Sequence, residues 1–294
     1  MSGVAIVTDS TASLPREMYG RYHISVVPYY LQIGGQSFRD GVDISPAEIN
    51  AHMEQLSTDD DVPTTSNPGP GDYVRAYMEA GKWAEAVVSL HMTSEGSGAY
   101  QSAAIGRRMT QERDPDLRIR VVDTRNVSMA HGWIALQAAR LAAEGASLEE
   151  VVGLVERMIP RARMIQTADT LRYLYMGGRI GRARHLLGSL LNIKPLISME
   201  DGVITTLGVA RSRNQAYTRI ASLLTRAVGE GNEVRVALTH AAALGEAEKL
   251  YGEIEEGVVP VEVLYCDLSP ALTVHSGPGT VGVCYVPEAV LGED

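Results

Sequence analysis

The sequence predicts an α/β protein in two parts, a mainly parallel sheet covered on both faces and then a mixed α/β domain. Three observations carry this. Short apolar, β-branched runs alternate with helical patterns through the first half, and such alternation feeds parallel β-α-β units. The pattern changes near Pro160, beyond which Asp201-Gly202 joins two strand-like runs as a tight hairpin. The 294 residues are 45% hydrophobic and 21% charged, enough for a sizeable core and for two ordinary domains. The division is placed at residue 160. Residues 1–160 are expected to form a Rossmann-like, three-layer α/β/α unit and residues 161–294 a mixed one.

The elements follow in order. Val4–Val7 and Ile24–Leu31 read as strands, and Gly34-Gly35 as a hairpin turn leading to Ser37-Phe38. Ser45-Pro46-Ala47-Glu48 carries a capping serine, a proline at the first helical position and a glutamate at the third, together a helix start. Asp59-Asp60-Asp61 marks an exposed loop. Tyr73–Ala80 is helical, Ala86–Leu90 a strand, Ala99–Thr110 a helix and Ile119–Val122 a strand. Helices follow at about Ala130–Ala143 and at Leu148–Ile159, the latter behind the Ser147-x-x-Glu150 capping box. In the second part, Met164–Ala168 is strand-like and Leu171–Met176 helical, stopped by Gly177-Gly178. Leu186–Leu191 is an apolar helix. Lys194–Met199 and Val203–Ala210 flank the hairpin turn. A helix at Gln215–Val228, a strand at Val234–Leu238 and a helix at Leu244–Glu255 precede the closing strands Val261–Tyr265 and Val281–Val286.

Composition narrows the function. A net charge of -10 disfavours a general nucleic-acid binder, which carries a basic domain. No apolar run approaches the ~20 residues of a membrane span, and the N-terminus enters a strand without a signal-like region, so a cytoplasmic protein is expected. Cys266 and Cys284 sit in apolar runs and read as reduced core thiols, with no zinc spacing near them. No metal or cofactor is expected.

Four loops are rich in hydroxyls, three of them with glycines as well: Thr8–Thr11, Pro63–Gly69, Thr93–Gly98 and His275–Thr280. The last two each follow an apolar run that reads as a strand. Glycines admit close backbone approach and hydroxyls give directional donors, so the four loops suit one composite anion site assembled by folding.

These segments resemble the DegV family. Val7-Thr8-Asp9-Ser10-Thr11-Ala12-Ser13-Leu14 looks like its opening. Thr64-Thr65-Ser66-Asn67-Pro68 resembles its Thr-Ser-Gln-Pro loop, with Asn67 where glutamine is usual. Thr93–Tyr100 resembles its Ser-Ser-x-Leu-Ser-Gly-Thr-Tyr segment, with Gly96 for leucine and Ala99 for threonine. Gly177-Gly178-Arg179-Ile180, Lys194-Pro195, Gly202, Arg211 and His275-Ser276-Gly277-Pro278-Gly279 complete the series in family order, with Gln215 where a lysine is common. The match spans essentially the whole chain, and its specificity lies in the ordered set.

The resemblance implies a DegV-like fold of two α/β domains with a long-chain fatty acid bound between them. In carriers of the FakB type the acid is presented to a separate fatty-acid kinase, and the acyl phosphate feeds phospholipid synthesis. This role implies a monomer without catalysis of its own, with room for transient membrane contact. By the same match, Thr65 and Ser94 would hold the carboxylate, with Arg179, His275, Ser276 and Gly277 close by and Arg211 facing the kinase.

Plainer readings stand beside these. Ser94 could cap a helix, Thr65 could bond its own turn, and Arg179, Arg182, Arg184 and His185 could form a solvated face. A rival function is an acyl hydrolase with Ser94 as nucleophile, His275 as base and Asp9 as orienter, although Gly-x-Ser-x-Gly is absent around Ser94. A phosphate-binding regulator built on the 177–185 arginines lacks a Walker-type sequence.

Overall fold

Two strands buried on both faces, Val4–Asp9 and Ala86–His91, form the centre of the first half, and their Val-, Ile- and Ala-rich runs are what such burial selects. In the computed structural model, residues 3–56, 62–186 and 193–292 are described. The chain enters through β1 (Val4–Asp9), a 3-10 turn (Ser10–Ala12) and α1 (Arg16–Arg21). Next come β2 (Ser25–Val27), β3 (Tyr30–Ile33), β4 (Gln36–Arg39) and α2 (Pro46–Gln55). They are followed by β5 (Thr64–Ser66), α3 (Pro70–Ala80), β6 (Ala86–His91) and α4 (Ala99–Gln111). β7 (Arg118–Asp123), α5 (Ser128–Ala143) and α6 (Leu148–Met158) close this half.

Strands β2-β1-β6-β7 form a parallel sheet in that order. One face packs Val7 and Val87 on Tyr73 and Tyr77 of α3. The other packs Ile6 and Leu90 on the α5 and α6 side chains, Trp133 and Val155 among them. The expected single strand Ile24–Leu31 is two. Pro28 has no N–H to give a ladder, so β2 stays with β1 while β3 turns away into a small antiparallel sheet, β4-β3-β5. The β3–β4 turn has Gly34 at φ 55° and Gly35 at φ 79°, the left-handed pair that a two-residue hairpin requires.

The second half begins with β8 (Arg163–Thr167), α7 (Arg172–Met176) and a 3-10 turn (Gly181–Leu186). β9 (Lys194–Glu200) and β10 (Val203–Ala210) form the hairpin around Asp201-Gly202. α8 (Arg213–Val228), β11 (Glu233–His240), α9 (Leu244–Ile254) and β12 (Val259–Asp267) follow. α10 (Pro270–Ser276) and β13 (Val281–Pro287) end the regular structure. These strands make one mixed sheet, β10-β9-β8-β13-β11-β12, parallel only between β11 and β12. α8 and α9 cover one of its faces.

Helix α5 covers the other face. Its first twelve residues, Ser128–Ala139, are all buried, because it touches β1 and β6 of the parallel sheet as well as β8, β11 and β13 of the mixed one. Trp133, fully buried, donates its Nε1–H to the Cys284 carbonyl at 3.1 Å. One apolar cluster therefore runs from Ile6 through Trp133 to Met164 and Cys284. Both cysteines are buried thiols.

Three expectations need comment. The run before His275 is helical, not a strand: Ser269 accepts from the Leu272 N–H and Pro270 opens α10. Thr64–Ser66 is a strand and not a loop. The 59–61 loop, and all but Leu186 of the 186–191 helix, lie outside the described residues.

Candidate functional site

A cavity of about 550 Å3 opens where the two halves meet, within the ~300–1,000 Å3 common for ligand pockets. Its walls come from β5, α10, the loop after β6, the start of α5, β8 and the β9–β10 hairpin. Exposed Glu95 and Arg179 mark the mouth. Polar residues gather on one stretch: Tyr29, Thr65, Ser97, Arg179 and His275. Much of the rest is apolar, including Val127, Leu174, Ile204 and three methionines, Met92, Met164 and Met199. Methionine bends to fit irregular ligand shapes.

The polar groups are tied together across great sequence distances. His275 Nε2 lies 2.7 Å from Thr65 Oγ1, and Tyr29 Oη lies 2.6 Å from Ser97 Oγ. His275 lies in the last turn of α10, and Gly277 takes φ 82° just beyond the helix. A Cβ at Gly277 would meet Tyr173 Cδ2 at 2.2 Å, and one at Gly177 would meet His275 Nδ1 at 2.2 Å. The two glycines thus let α7 and α10 press together, which fixes the imidazole. Burial pushes the His275 ring down to about 4, and the Arg179 guanidinium adds to the shift. The ring is neutral at pH 7. With its proton on Nε2 it donates to Thr65, leaving the Thr65 O–H free to donate to an anion. Burial also holds the Tyr29 phenol protonated, far above its usual range.

Thr65, Arg179, His275 and Ser276 line this cavity, whereas Ser94, Gly277 and Arg211 do not. Thr93 and Ser97 face it from the Ser94 loop, and the Ser94 N–H donates to Asp123 Oδ2 at 3.2 Å. Thr11, from the first hydroxyl loop, also lines the cavity. Ser276 bonds back to the Leu272 carbonyl. Arg211 is exposed, with its N–H on Gln215 Oε1 at 2.7 Å. Its neighbour Arg213 instead ties the Gly279 carbonyl and Asp169, which Lys194 also holds.

The hydrolase arrangement of Ser94, His275 and Asp9 is not assembled. Asp9 accepts from Thr11 and the Met92 N–H, and its Oδ2 lies 3.2 Å from His91 Nδ1. His91 Nε2 in turn bonds Ser89 Oγ at 2.7 Å. That carboxylate–imidazole–hydroxyl chain has the order of a hydrolase triad, but all three residues are fully buried and none lines the cavity. Burial raises the Asp9 carboxyl, and its bonds and nearby imidazoles more than reverse this, so it stays ionised. Tyr29, Thr93 and Ser97 are cavity residues that sequence reasoning missed as contacts. Thr93 and Ser97 sit in a hydroxyl loop already singled out, whereas Tyr29 carries no local signal.

Among the described residues no group of three or more His, Cys, Asp or Glu could hold a metal ion. No described helix is long and apolar enough to cross a membrane.

A family model described as "uncharacterised protein, DegV family" matches residues 3–288. A DegV domain-containing protein of Caldanaerobacter subterraneus is 35% identical over 289 residues, covering 97% of this chain and 99% of its own. Among solved structures, a family protein from Thermus thermophilus described by its fatty-acid binding superposes with a TM-score of 0.89 at 33% identity. That match covers 97% of this chain and 99% of the other. A stearic-acid-binding protein from Eubacterium ventriosum gives a TM-score of 0.87 at 27% identity, covering 98% and 99%.

Proposed function

The chain belongs to the DegV family, and we propose that it binds a long-chain fatty acid between residues 1–160 and 161–294 and presents the carboxylate to a separate fatty-acid kinase. The observation that carries this reading is a single cavity joining a hydrogen-bonding stretch, Thr65 with His275, to an apolar interior rich in methionine. Thr65 and Ser97 donate to the head group, with His275 holding Thr65 and Arg179 at the mouth. Ser94, Ser276 and Gly277 shape the loops that carry them. A buried carboxylate is costly unless bonded, and hydroxyls accommodate either of its protonation states. That suits a head group whose charge changes on phosphoryl transfer. At ~0.8 kcal/mol per buried CH2, a palmitoyl tail contributes roughly 12 kcal/mol before the costs of binding.

On this reading the protein is a cytoplasmic, monomeric carrier that needs no cofactor, and phosphoryl transfer belongs to the kinase. Arg211, exposed and outside the cavity lining, is the proposed kinase contact. Mass spectrometry of lipid extracted from the purified protein tests the core of the reading. A stoichiometric long-chain acid is the expected result. An empty protein that hydrolyses acyl esters would overturn it.

A further inference from the structure

Two cavities meet at the tip of the β9–β10 hairpin. The second, about 680 Å3, lies on the opposite face of β8. The strand's alternation divides them: Met164 and Gln166 line the first, Arg163 and Ile165 the second. Among the described residues only Met199 and Gly202 line both. Gly202 is a fixed part of the partition. It takes φ 80°, its carbonyl accepts from Thr93 Oγ1 at 2.8 Å, and a Cβ there would meet that oxygen at 2.5 Å. Met199 is the adjustable part, an unbranched side chain with three rotatable bonds.

The second cavity has a mixed lining, with Arg163, Ser198 and Thr205 among its polar residues. Ile159, Ile165, Leu207, Leu223 and the Tyr285 ring supply apolar surface. Arg125 and Asp201 pair at 3.9 Å with both side chains more than half exposed, and Glu200 turns outward to Arg182. A hydrocarbon end passing Met199 would find this apolar surface in the second cavity.

We propose that this second cavity receives the methyl end of acyl chains too long for the first, with Met199 as the movable partition that sets the length accepted. The inference rests on the fatty-acid reading above. It makes Met199 a specificity-determining residue and assigns the second cavity an acyl ligand. Each methylene left in water instead of buried forfeits about fourfold in affinity, so blocking a few methylenes is readily measured.

The test measures palmitate and behenate binding by the full chain and two variants. Ala227→Trp fills the second cavity from an exposed position on α8 that does not line the first. It should leave palmitate binding unchanged and weaken behenate more than about tenfold. Met199→Ala should raise the behenate-to-palmitate affinity ratio several-fold. An unchanged ratio in Ala227→Trp, with palmitate still bound, overturns the inference and leaves the carrier reading intact. Wild-type protein that binds neither acid overturns the carrier reading, and this inference with it.

Discussion

Gly177→Ala separates the placement of His275 from its chemistry. Gly177 has φ −73° and ψ −6°, helical values that alanine adopts without strain. The whole cost is steric. The new Cβ would lie 2.2 Å from His275 Nδ1 and 2.8 Å from Cε1, where contacts below 3.0 Å are not tolerated. The imidazole must retreat by about 1 Å, and the 2.7 Å bond to Thr65 cannot survive that. Losing one oriented hydrogen bond to a charged head group costs about 1.5–3 kcal/mol, or roughly 10- to 150-fold in affinity. Calorimetric titration with palmitate reads this directly, and thermal melting of the unliganded protein checks that the variant is folded. Thr65→Val should match it, because the hydroxyl goes while the shape stays. A folded Gly177→Ala that binds palmitate within about twofold of wild type would refute the assignment of the anchor to Thr65 and His275.

Three further outcomes are expected. Asp40 is buried, accepts from Ser10 Oγ and the Ala271 N–H, and burial pushes its carboxyl up to about 6. The folded state therefore holds the proton more tightly than the unfolded one, an advantage complete below pH ~4 and lost as pH rises through about 6. Asp40→Asn should be more stable than wild type by about 2–3 kcal/mol at pH 7.5, with the gap closing by pH 4; a gap independent of pH in urea melts would count against this. Glu262 accepts both guanidinium nitrogens of Arg140 at 2.7 and 2.6 Å and also bonds Arg235. Glu262→Gln should cost about 2–3 kcal/mol, below the ~3–5 of a fully buried pair, and a change under about 0.5 kcal/mol by denaturant melts would contradict the geometry. Arg211→Ala should bind palmitate normally yet raise the apparent KM of a cognate kinase for the carrier; kinase turnover at wild-type KM would remove the docking role.

How much of this was legible depends on the range of the interaction that decides it. The capping boxes at Ser45–Glu48 and Ser147–Glu150 span three residues, and both form as read. The hairpins at Gly34-Gly35 and Asp201-Gly202 are equally local, set by residues that tolerate positive φ. α10 was missed although Ser269-Pro270 repeats the start signal of Ser45-Pro46. Thr273 and Val274 favour a strand by propensity, and packing against α2 and α7 overrides it. All four hydroxyl loops contribute to the cavity lining, but the contacts between them were hidden. Thr65 meets His275 across 210 positions and Tyr29 meets Ser97 across 68. Ser94 and Ser97 stand in one short segment, and only the fold distinguishes which of them lines the cavity.

Because α5 serves two sheets at once, a cut at residue 160 should not yield two working halves. A fragment ending at residue 160 would keep α5 but expose the flank that β8, β11 and β13 cover, and Trp133 would lose the Cys284 carbonyl it bonds. The remaining fragment would keep six strands with one bare face. Each half is the other's solvent shield, so loss of either should unfold both in one transition. The ligand cavity, whose wall includes Val127 and Ser128 at the start of the shared helix, is placed where occupancy bears on the stability of the entire chain.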